Sequence, residues 1–267
     1  MRVALTVAGS DSGAGAGIQA DILTMSAMGV FATSAITSLT DQNPDTVAAI
    51  EPVSAGFMRA QLAAVGSYFD ISAAKTGMVF SAELADVCAD FFAKNRHIAL
   101  VVDPVMISTS GARLLSDDAS EVLLKRLAPL SRLVTPNLPE ACAILSRKEI
   151  RFSEMSACAR ELGKLLNTAV LLKGGHLEDG EDVVDVLFDG DGICEFVSRK
   201  IRGVNTHGSG CTLSAAIAAQ LALGRDLKSA CGNAHAYLHS ALENPLSLGG
   251  VKFINHGVSN SDGLGKR

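Results

Sequence analysis

Short apolar runs alternate with helix-forming segments along most of the chain, and this alternation limits its fold more than any other feature. Residues 3–8, 31–39, 71–75, 98–102, 132–135 and 169–172 are rich in Val, Ile, Leu, Ala and Thr and read as strands. Residues 18–28, 56–69, 82–95, 117–127, 139–145 and 153–166 lie between them and read as helices, with stops such as Gly29. Strands separated by helices in this way imply a mainly parallel sheet with helices on both faces. Such a sheet needs strands that are apolar throughout rather than at every second position. With 48% hydrophobic residues in 267, the chain has enough material for that core.

Two places break the alternation. A polar stretch, Thr40-Asp41-Gln42-Asn43-Pro44-Asp45, is followed by a second apolar run at 47–53, too close for a helix to intervene. The pair is expected to form a small β flap off the main sheet. Further on, 183–188 and 193–198 alternate and are joined by Asp189-Gly190-Asp191-Gly192, a hairpin signal. Helices at 212–223 and 226–242 follow, and the polar tail 257–267 is expected to be disordered. Neither an internal repeat nor a linker divides residues 1–256, which read as one domain.

The formal net charge is −5 and lysines and arginines form no cluster, which argues against nucleic acid or an anionic membrane as partner. No apolar run approaches the length of a membrane span. The run at 3–8, interrupted by Gly9-Ser10-Asp11, is too short for a signal peptide. Six cysteines, at 88, 142, 158, 194, 211 and 231, include no Cys-x-x-Cys pair. Neither a zinc site nor a disulfide framework is indicated, and a cytoplasmic location is expected.

Chemistry concentrates in Gly203-Val204-Asn205-Thr206-His207-Gly208-Ser209-Gly210-Cys211 and the Ala-rich helix after it. A glycine-rich turn opening a helix leaves N–H groups unpaired at the positive end of the helix dipole, an arrangement that binds phosphate. Cys211 would stand at its mouth, where a thiolate is stabilised and the thiol pKa falls. A phosphate cradle beside a titratable group suggests phosphoryl transfer to a hydroxyl. The same residues also read as a glycine-rich connection into a buried helix, with Cys211 a small inert side chain.

In open parallel sheets, ligands bind beyond the carboxyl ends of the strands. The polar residues expected at that edge are Asp11, Lys75, Asp103, Asn137 and Lys173. Asp103 ends a strongly apolar strand, and Mg2+ is its expected partner. Asn137-Leu138-Pro139-Glu140 has the order of a helix capping box, and the same two side chains can hold the water shell of Mg2+ on nucleotide phosphates. Lys173, beside Gly174 and Gly175, can reach a transferring phosphate as a point charge, or is a solvated strand-end lysine. His176 reads as a surface residue.

Gln42 offers a donor and an acceptor in one plane, a match for an aminopyrimidine edge; otherwise it is a turn residue beside Asn43-Pro44. In the N-terminal loop, Gly15-Ala16-Gly17-Ile18-Gln19-Ala20 matches the dinucleotide fingerprint, with Asp41 downstream to meet a ribose. Yet Gly15 comes well after the strand, and Asp11 would set a negative charge in the turn meant for pyrophosphate. The reading preferred over a nicotinamide or flavin enzyme is a close-approach loop in which Asp11 or Asp21 contacts a neutral or cationic substrate.

Together the segments AGSDSGAGAGIQAD, GVFATSAITSLTDQN, KTGM, VVDPVM with Ser110-Gly111 following, TPNLPEA, LLKGGH and NTHGSGCTLSAAIAA resemble the hydroxymethylpyrimidine and phosphomethylpyrimidine kinases of the ribokinase-like superfamily. They run in the family's order over nearly the whole chain. The resemblance implies a three-layer α/β/α sandwich with a mainly parallel central sheet and a small β flap, assembled as a homodimer. It implies an enzyme of thiamin biosynthesis that uses ATP and Mg2+. The acceptors are the hydroxyl of 4-amino-5-hydroxymethyl-2-methylpyrimidine and then the resulting monophosphate.

Gly208, Ser209 and Gly210 match the family's anion hole and Cys211 its catalytic base, with Lys173 in the catalytic set. Asp21, Gln42 and Met78 match positions contacting the pyrimidine, and Gly9 and Val105 are placed in the same group. Asn137, Glu140 and Lys173 match positions around the nucleotide phosphates, and Thr206 joins them. Asp103 and Glu140 are the metal candidates, partly through water. Two departures stand out: Asp41 precedes Gln42 where the family usually has a small apolar residue, and 250–256 keep only part of the family's ending. A pyridoxal or pyridoxine kinase on the same fold is the alternative, and a non-catalytic nucleotide- or vitamin-binding regulator is a more distant one.

Overall fold

A computed structural model of the chain describes residues 1–106, 115–175 and 180–258. Ser110-Gly111, His176 and the tail from 259 onward lie outside the described residues. The apolar runs form β1 (Val3–Asp11), β2 (Phe31–Gln42), β3 (Val47–Pro52), β4 (Ile71–Thr76), β5 (Ala99–Val102), β6 (Leu133–Val134), β7 (Ala169–Leu172), β8 (Asp182–Phe188) and β9 (Ile193–Arg199). Among the described residues these make one nine-stranded sheet in the order β3-β2-β1-β4-β5-β6-β7-β8-β9. Neighbours from β2 through β7 are parallel, while β3, β8 and β9 pair antiparallel. A separate ribbon joins β10 (Leu246–Leu248) to β11 (Val251–Phe253).

Side chains alternate across each strand, so an uninterrupted apolar run feeds two cores. Leu5, Val7, Leu100, Val102, Val134 and Leu172 point into one. It is closed by α2 (Ala55–Tyr68), α3 (Ala82–Lys94), α4 (Asp117–Val122), α5 (Leu138–Ile144) and α6 (Met155–Leu166). Ala4, Ala73, Val101, Leu133 and Leu171 point into the other, closed by α1 (Gly17–Ala27), α7 (Ser209–Ala222) and α8 (Leu227–Glu243). The result is the three-layer α/β/α sandwich. Ala215, Ala216, Ala218 and Ala219 are all fully buried, and their small side chains let α7 pack against the sheet between α1 and α8.

Three local expectations need correction. The flap is not a piece off the main sheet. β3 pairs with β2 from Ser38↔Pro52 to Gln42↔Val47, on the edge opposite β1, and only Asp41 and Gln42 run on beyond the last β1 pair, Asp11↔Thr40. Helix α7 begins at Ser209 rather than Thr212, because Gly208, at φ 84°, turns the chain into the helix one turn earlier. The helix expected over 117–127 widens into a π turn at Leu123–Leu127 and tightens to 3-10 at Ala128–Leu130, where Pro129 has no N–H to continue the α pattern. Among the described residues no helix is long and apolar enough to cross a membrane, and all six cysteines are free.

Candidate active site

Two glycine-rich loops meet at the start of α7. A methyl group on Gly208 would lie 1.8 Å from the Gly15 carbonyl oxygen, and one on Gly17 would lie 2.4 Å from the Gly9 carbonyl oxygen. The loops therefore pack backbone on backbone, which only glycine permits. This is the close approach that the N-terminal glycines anticipated, made here with backbone of the protein itself. The Ser209 N–H donates to the Thr206 carbonyl (3.0 Å) and the Thr212 N–H to the Gly208 carbonyl (2.9 Å). The N–H groups of Gly210 and Cys211, in the first turn, have no intrahelical acceptor.

One side of this helix start is lined by the strand ends. A methyl on Gly210 would sit 3.3 Å from Lys173 Nζ and 3.5 Å from Asp103 Oδ2. Lys173 Nζ donates to Asp103 Oδ1 (3.0 Å), and Ser214 Oγ lies 3.3 Å from Asp103 Oδ2. Asn137 and Glu140 form the capping box: the Glu140 N–H donates to Asn137 Oδ1 (2.8 Å) and the Asn137 N–H to Glu140 Oε2 (2.9 Å). Glu140 Oε1 also accepts from the Met106 N–H (3.0 Å). Burial pushes the Glu140 carboxyl up to about 6, against the pull of Lys173. Burial works against the Lys173 ammonium, but Asp103 and Glu140 outweigh it and the lysine is raised.

Two buried carboxylates beside one lysine suit magnesium. Each Glu140 oxygen already accepts one N–H yet keeps a lone pair for the water of a hydrated ion, which is how Mg2+ is commonly held. Among the described residues no group of three or more His, Cys, Asp or Glu could hold a metal directly, so the fit is to an ion bound largely through water.

The other side belongs to the flap. The Gln42 side-chain amide spans Thr40 Oγ1 (3.1 Å) and His207 Nε2 (3.0 Å). His207 Nε2 also lies 3.1 Å from Asp11 Oδ2. Asp11 accepts from the Gly13 and Ala16 N–H groups at 2.8 and 2.9 Å. Burial alone would raise the Asp11 carboxyl, but His207 and these N–H groups together hold it below the usual aspartate value. Below the flap, a methyl on Gly9 would meet Met78 Cε at 2.9 Å, which makes Gly9 and Met78 neighbours. Val105, half-buried just past β5, has φ 44°, a left-handed conformation that a β-branched side chain resists. The Thr206 side chain is exposed at the entrance to the anion loop.

Two acidic side chains and the thiol depart from expectation. Asp21, expected to touch substrate, is fully buried and accepts from Lys75 Nζ (2.8 and 2.9 Å) and Thr6 Oγ1 (2.5 Å). Lys75 is itself fully buried, and a buried ammonium needs a counter-charge. Burial disfavours that charge, yet Asp21 more than compensates and the lysine is raised. Asp11 likewise serves its own loop. The Cys211 thiol is raised, not lowered: burial dominates, and the Lys75 charge and the Gly17 N–H offset it only in part.

Sequence reading missed His207, Ser214 and Thr40, although His207 stood in the middle of the quoted motif. It also missed the buried pair His235–Asp185 (2.9 Å), whose carboxylate fixes the Gly174 N–H (3.0 Å) next to Lys173. The divergent C-terminal segment packs on α7, with His256 Nδ1 2.8 Å from Thr212 Oγ1 and Tyr237 donating to the His256 carbonyl (2.6 Å).

The layered fold and a helix start facing a lysine, two carboxylates and a thiol define a ribokinase-like kinase, a phosphotransferase. The family model for phosphomethylpyrimidine kinase matches residues 11–256, and the chain belongs to that family. It is 48% identical over 243 residues to the hydroxymethylpyrimidine/phosphomethylpyrimidine kinase of Rhizobium meliloti, covering 90% of each chain. It is similar to the crystal structure of phosphomethylpyrimidine kinase from Clostridium difficile 630, with 38% identity, TM-score 0.80, and 91% and 100% of the two chains covered. It is also similar to an ADP complex of Bacillus subtilis pyridoxal kinase, with 33% identity, TM-score 0.88, and 96% and 97% covered.

Proposed function

We propose that this chain transfers the γ-phosphoryl group of ATP to the hydroxyl of 4-amino-5-hydroxymethyl-2-methylpyrimidine, and then to the monophosphate so formed, in thiamin biosynthesis. The observation that carries the proposal is the meeting of two groups at one helix start: Lys173 with Asp103 against Gly210, and Gln42 against His207. Residues 1–256 act as one kinase domain, and six free cysteines suit a cytoplasmic enzyme.

The transfer is in line. The N–H groups of Gly208, Gly210 and Cys211 and the Lys173 ammonium face the charge that grows on the phosphoryl oxygens, while the Ser209 N–H, bonded to the Thr206 carbonyl, holds the anion loop in shape. Cys211 takes the acceptor proton as a thiolate, and the buried Lys75 ammonium offsets that negative charge. Because the transition state is loose, little deprotonation is needed before the phosphoryl group leaves ATP, which suits a thiol that burial keeps mostly neutral. Asn137, Glu140, Lys173 and Thr206 surround the nucleotide phosphates. When bound, Mg2+ would add positive charge at those phosphates, held by Asp103 and Glu140 partly through water. Gln42, Met78, Gly9 and Val105 line the acceptor side, and Asp21 acts there through Lys75.

A pyridoxal kinase is the second reading, favoured by the likeness to the Bacillus subtilis enzyme. Specificity constants with ATP and Mg2+ for the aminopyrimidine alcohol and for pyridoxal decide between them. The proposal expects the pyrimidine to be the better acceptor; a larger constant for pyridoxal would replace it with the second reading.

A further inference from the structure

An amide can read a heteroaromatic edge in either of two orientations, which exchange its donor and its acceptor. Such orientations are assigned from hydrogen-bond partners, and the partners of Gln42 allow only one. Both Asp11 oxygens accept backbone N–H groups, so this carboxylate is an acceptor. His207 Nε2, 3.1 Å from Asp11 Oδ2, must therefore carry a hydrogen. As placed, the amide turns its NH2 group toward that nitrogen at 3.0 Å. A nitrogen that carries hydrogen cannot accept from NH2, so the hydrogen-bond partners require the amide oxygen and nitrogen to be exchanged, with the oxygen toward His207. The far end of the amide gives the same answer independently. Thr40 Oγ1 has one hydrogen and donates it to the Ser10 carbonyl (2.9 Å). With that hydrogen used, it can only accept from the Gln42 amide atom 3.1 Å away, which is placed as the oxygen; the same exchange makes it the amide nitrogen.

In this orientation one N–H is used by Thr40, and one oxygen lone pair shares the single His207 Nε2 hydrogen with Asp11 Oδ2 in a three-centre bond. Beyond these two contacts the amide keeps a second N–H and a second lone pair for a ligand. They match a ring bearing an amino group next to a ring nitrogen, in one direction only. We propose that His207 is a positioning residue for acceptor specificity: held as Nε2–H by Asp11, it fixes the polarity of the Gln42 edge. The proposal rests on the aminopyrimidine reading above and deepens it.

Two variants and one ligand-free measurement test this. His207→Phe keeps a ring but loses the donor; His207→Gln keeps an N–H close to the same point. His207→Phe should raise the acceptor KM about tenfold or more, the scale of about 1.4 kcal/mol or above, and leave the ATP KM within about twofold. His207→Gln should restore most of the acceptor KM. In a Gln42→Leu background, His207→Phe should add nothing to the acceptor KM, because its effect passes through Gln42. An unchanged acceptor KM in His207→Phe, or an equal rise in both backgrounds, overturns the proposal.

Nitrogen-15 NMR of the ligand-free wild-type protein keeps the question open to test even where a variant fails to fold. Hydrogen on His207 Nε2, as the neutral tautomer or the imidazolium, is expected; a bare Nε2 overturns the proposal. If the wild-type protein does not phosphorylate the aminopyrimidine alcohol, the functional reading fails, while the NMR result still decides the arrangement of His207 and Gln42.

Discussion

The two sides of the α7 start, proposed above to take the phosphates and the acceptor, are built by different means. Around Lys173 the groups come from the ends of β5 and β7 and from the capped start of α5, and each buried charge is partnered within the core. Around Gln42 the reading group sits on an edge hairpin whose β3 residues are mostly exposed. It is held by one histidine from a loop 165 residues away in sequence. The first half cannot change without disturbing the sheet; the second can be altered one side chain at a time. On the proposed function, that division would leave phosphoryl chemistry in the rigid half and acceptor choice in the half that tolerates substitution, in keeping with the likeness to a pyridoxal kinase at TM-score 0.88.

The strongest way to break this comparison is at the seam of the two halves. Gly208→Ala should lower stability by about 2–4 kcal/mol and abolish activity, since its methyl would strike the Gly15 carbonyl at 1.8 Å. Gly203→Ala has a similar positive φ of 76° but nothing within 4 Å, and should cost only about 1–2 kcal/mol. Denaturant midpoints for the two check this, and equal losses would mean that the packing of the loops is not what matters.

Cys211→Ala should lower turnover about 10²–10⁴-fold, the usual range for a lost acid–base group, with the ATP KM nearly intact. Wild-type turnover in this variant would remove Cys211 as the base. Because its thiol is raised by burial, the rate with wild-type enzyme should climb as pH rises toward the thiol range. A rate independent of pH there would contradict the thiolate role.

Gln42→Leu sharpens the comparison from the other side. It should weaken pyrimidine binding by about 1–3 kcal/mol, as expected for a lost two-point contact, and leave ATP binding unchanged in titration calorimetry. The smallest effect concerns Asp11. Its folded pKa lies below the usual aspartate value of 3.8. It therefore contributes stability above that value, which is lost as pH falls through the folded pKa. Asp11→Asn should flatten the acid limb of the stability profile, and an unchanged limb would show that the His207 contact does not favour the ionised form.

How much of this was legible beforehand depended on the range of the interaction. The strands, both covering layers and the strand-end set Asp103, Asn137 and Lys173 follow from local pattern and from the rule for parallel sheets. The capping box at Asn137 and Glu140 is a four-residue signal, and it formed. What sequence hid were contacts between distant segments. A lone histidine has no periodicity to betray it, so His207 acquires meaning only when Gln42 and Asp11 are brought beside it. Asp21 looked available because its partner Lys75 lies 54 residues on. The direction of the Cys211 shift was misjudged for a related reason: a helix start lowers a thiol pKa, but the desolvation that reverses the sign depends on what packs around it.

One competition assay tests the division of labour most directly. Wild-type protein and Gln42→Leu are each given ATP, Mg2+, the aminopyrimidine alcohol and pyridoxal in one tube, and the phosphorylated products are counted by mass spectrometry. The account predicts that wild type makes the pyrimidine monophosphate and then the diphosphate in excess over pyridoxal phosphate, and that Gln42→Leu loses this preference while still consuming ATP. A Gln42→Leu enzyme that keeps the pyrimidine preference, or a wild type that phosphorylates mainly pyridoxal, would contradict it.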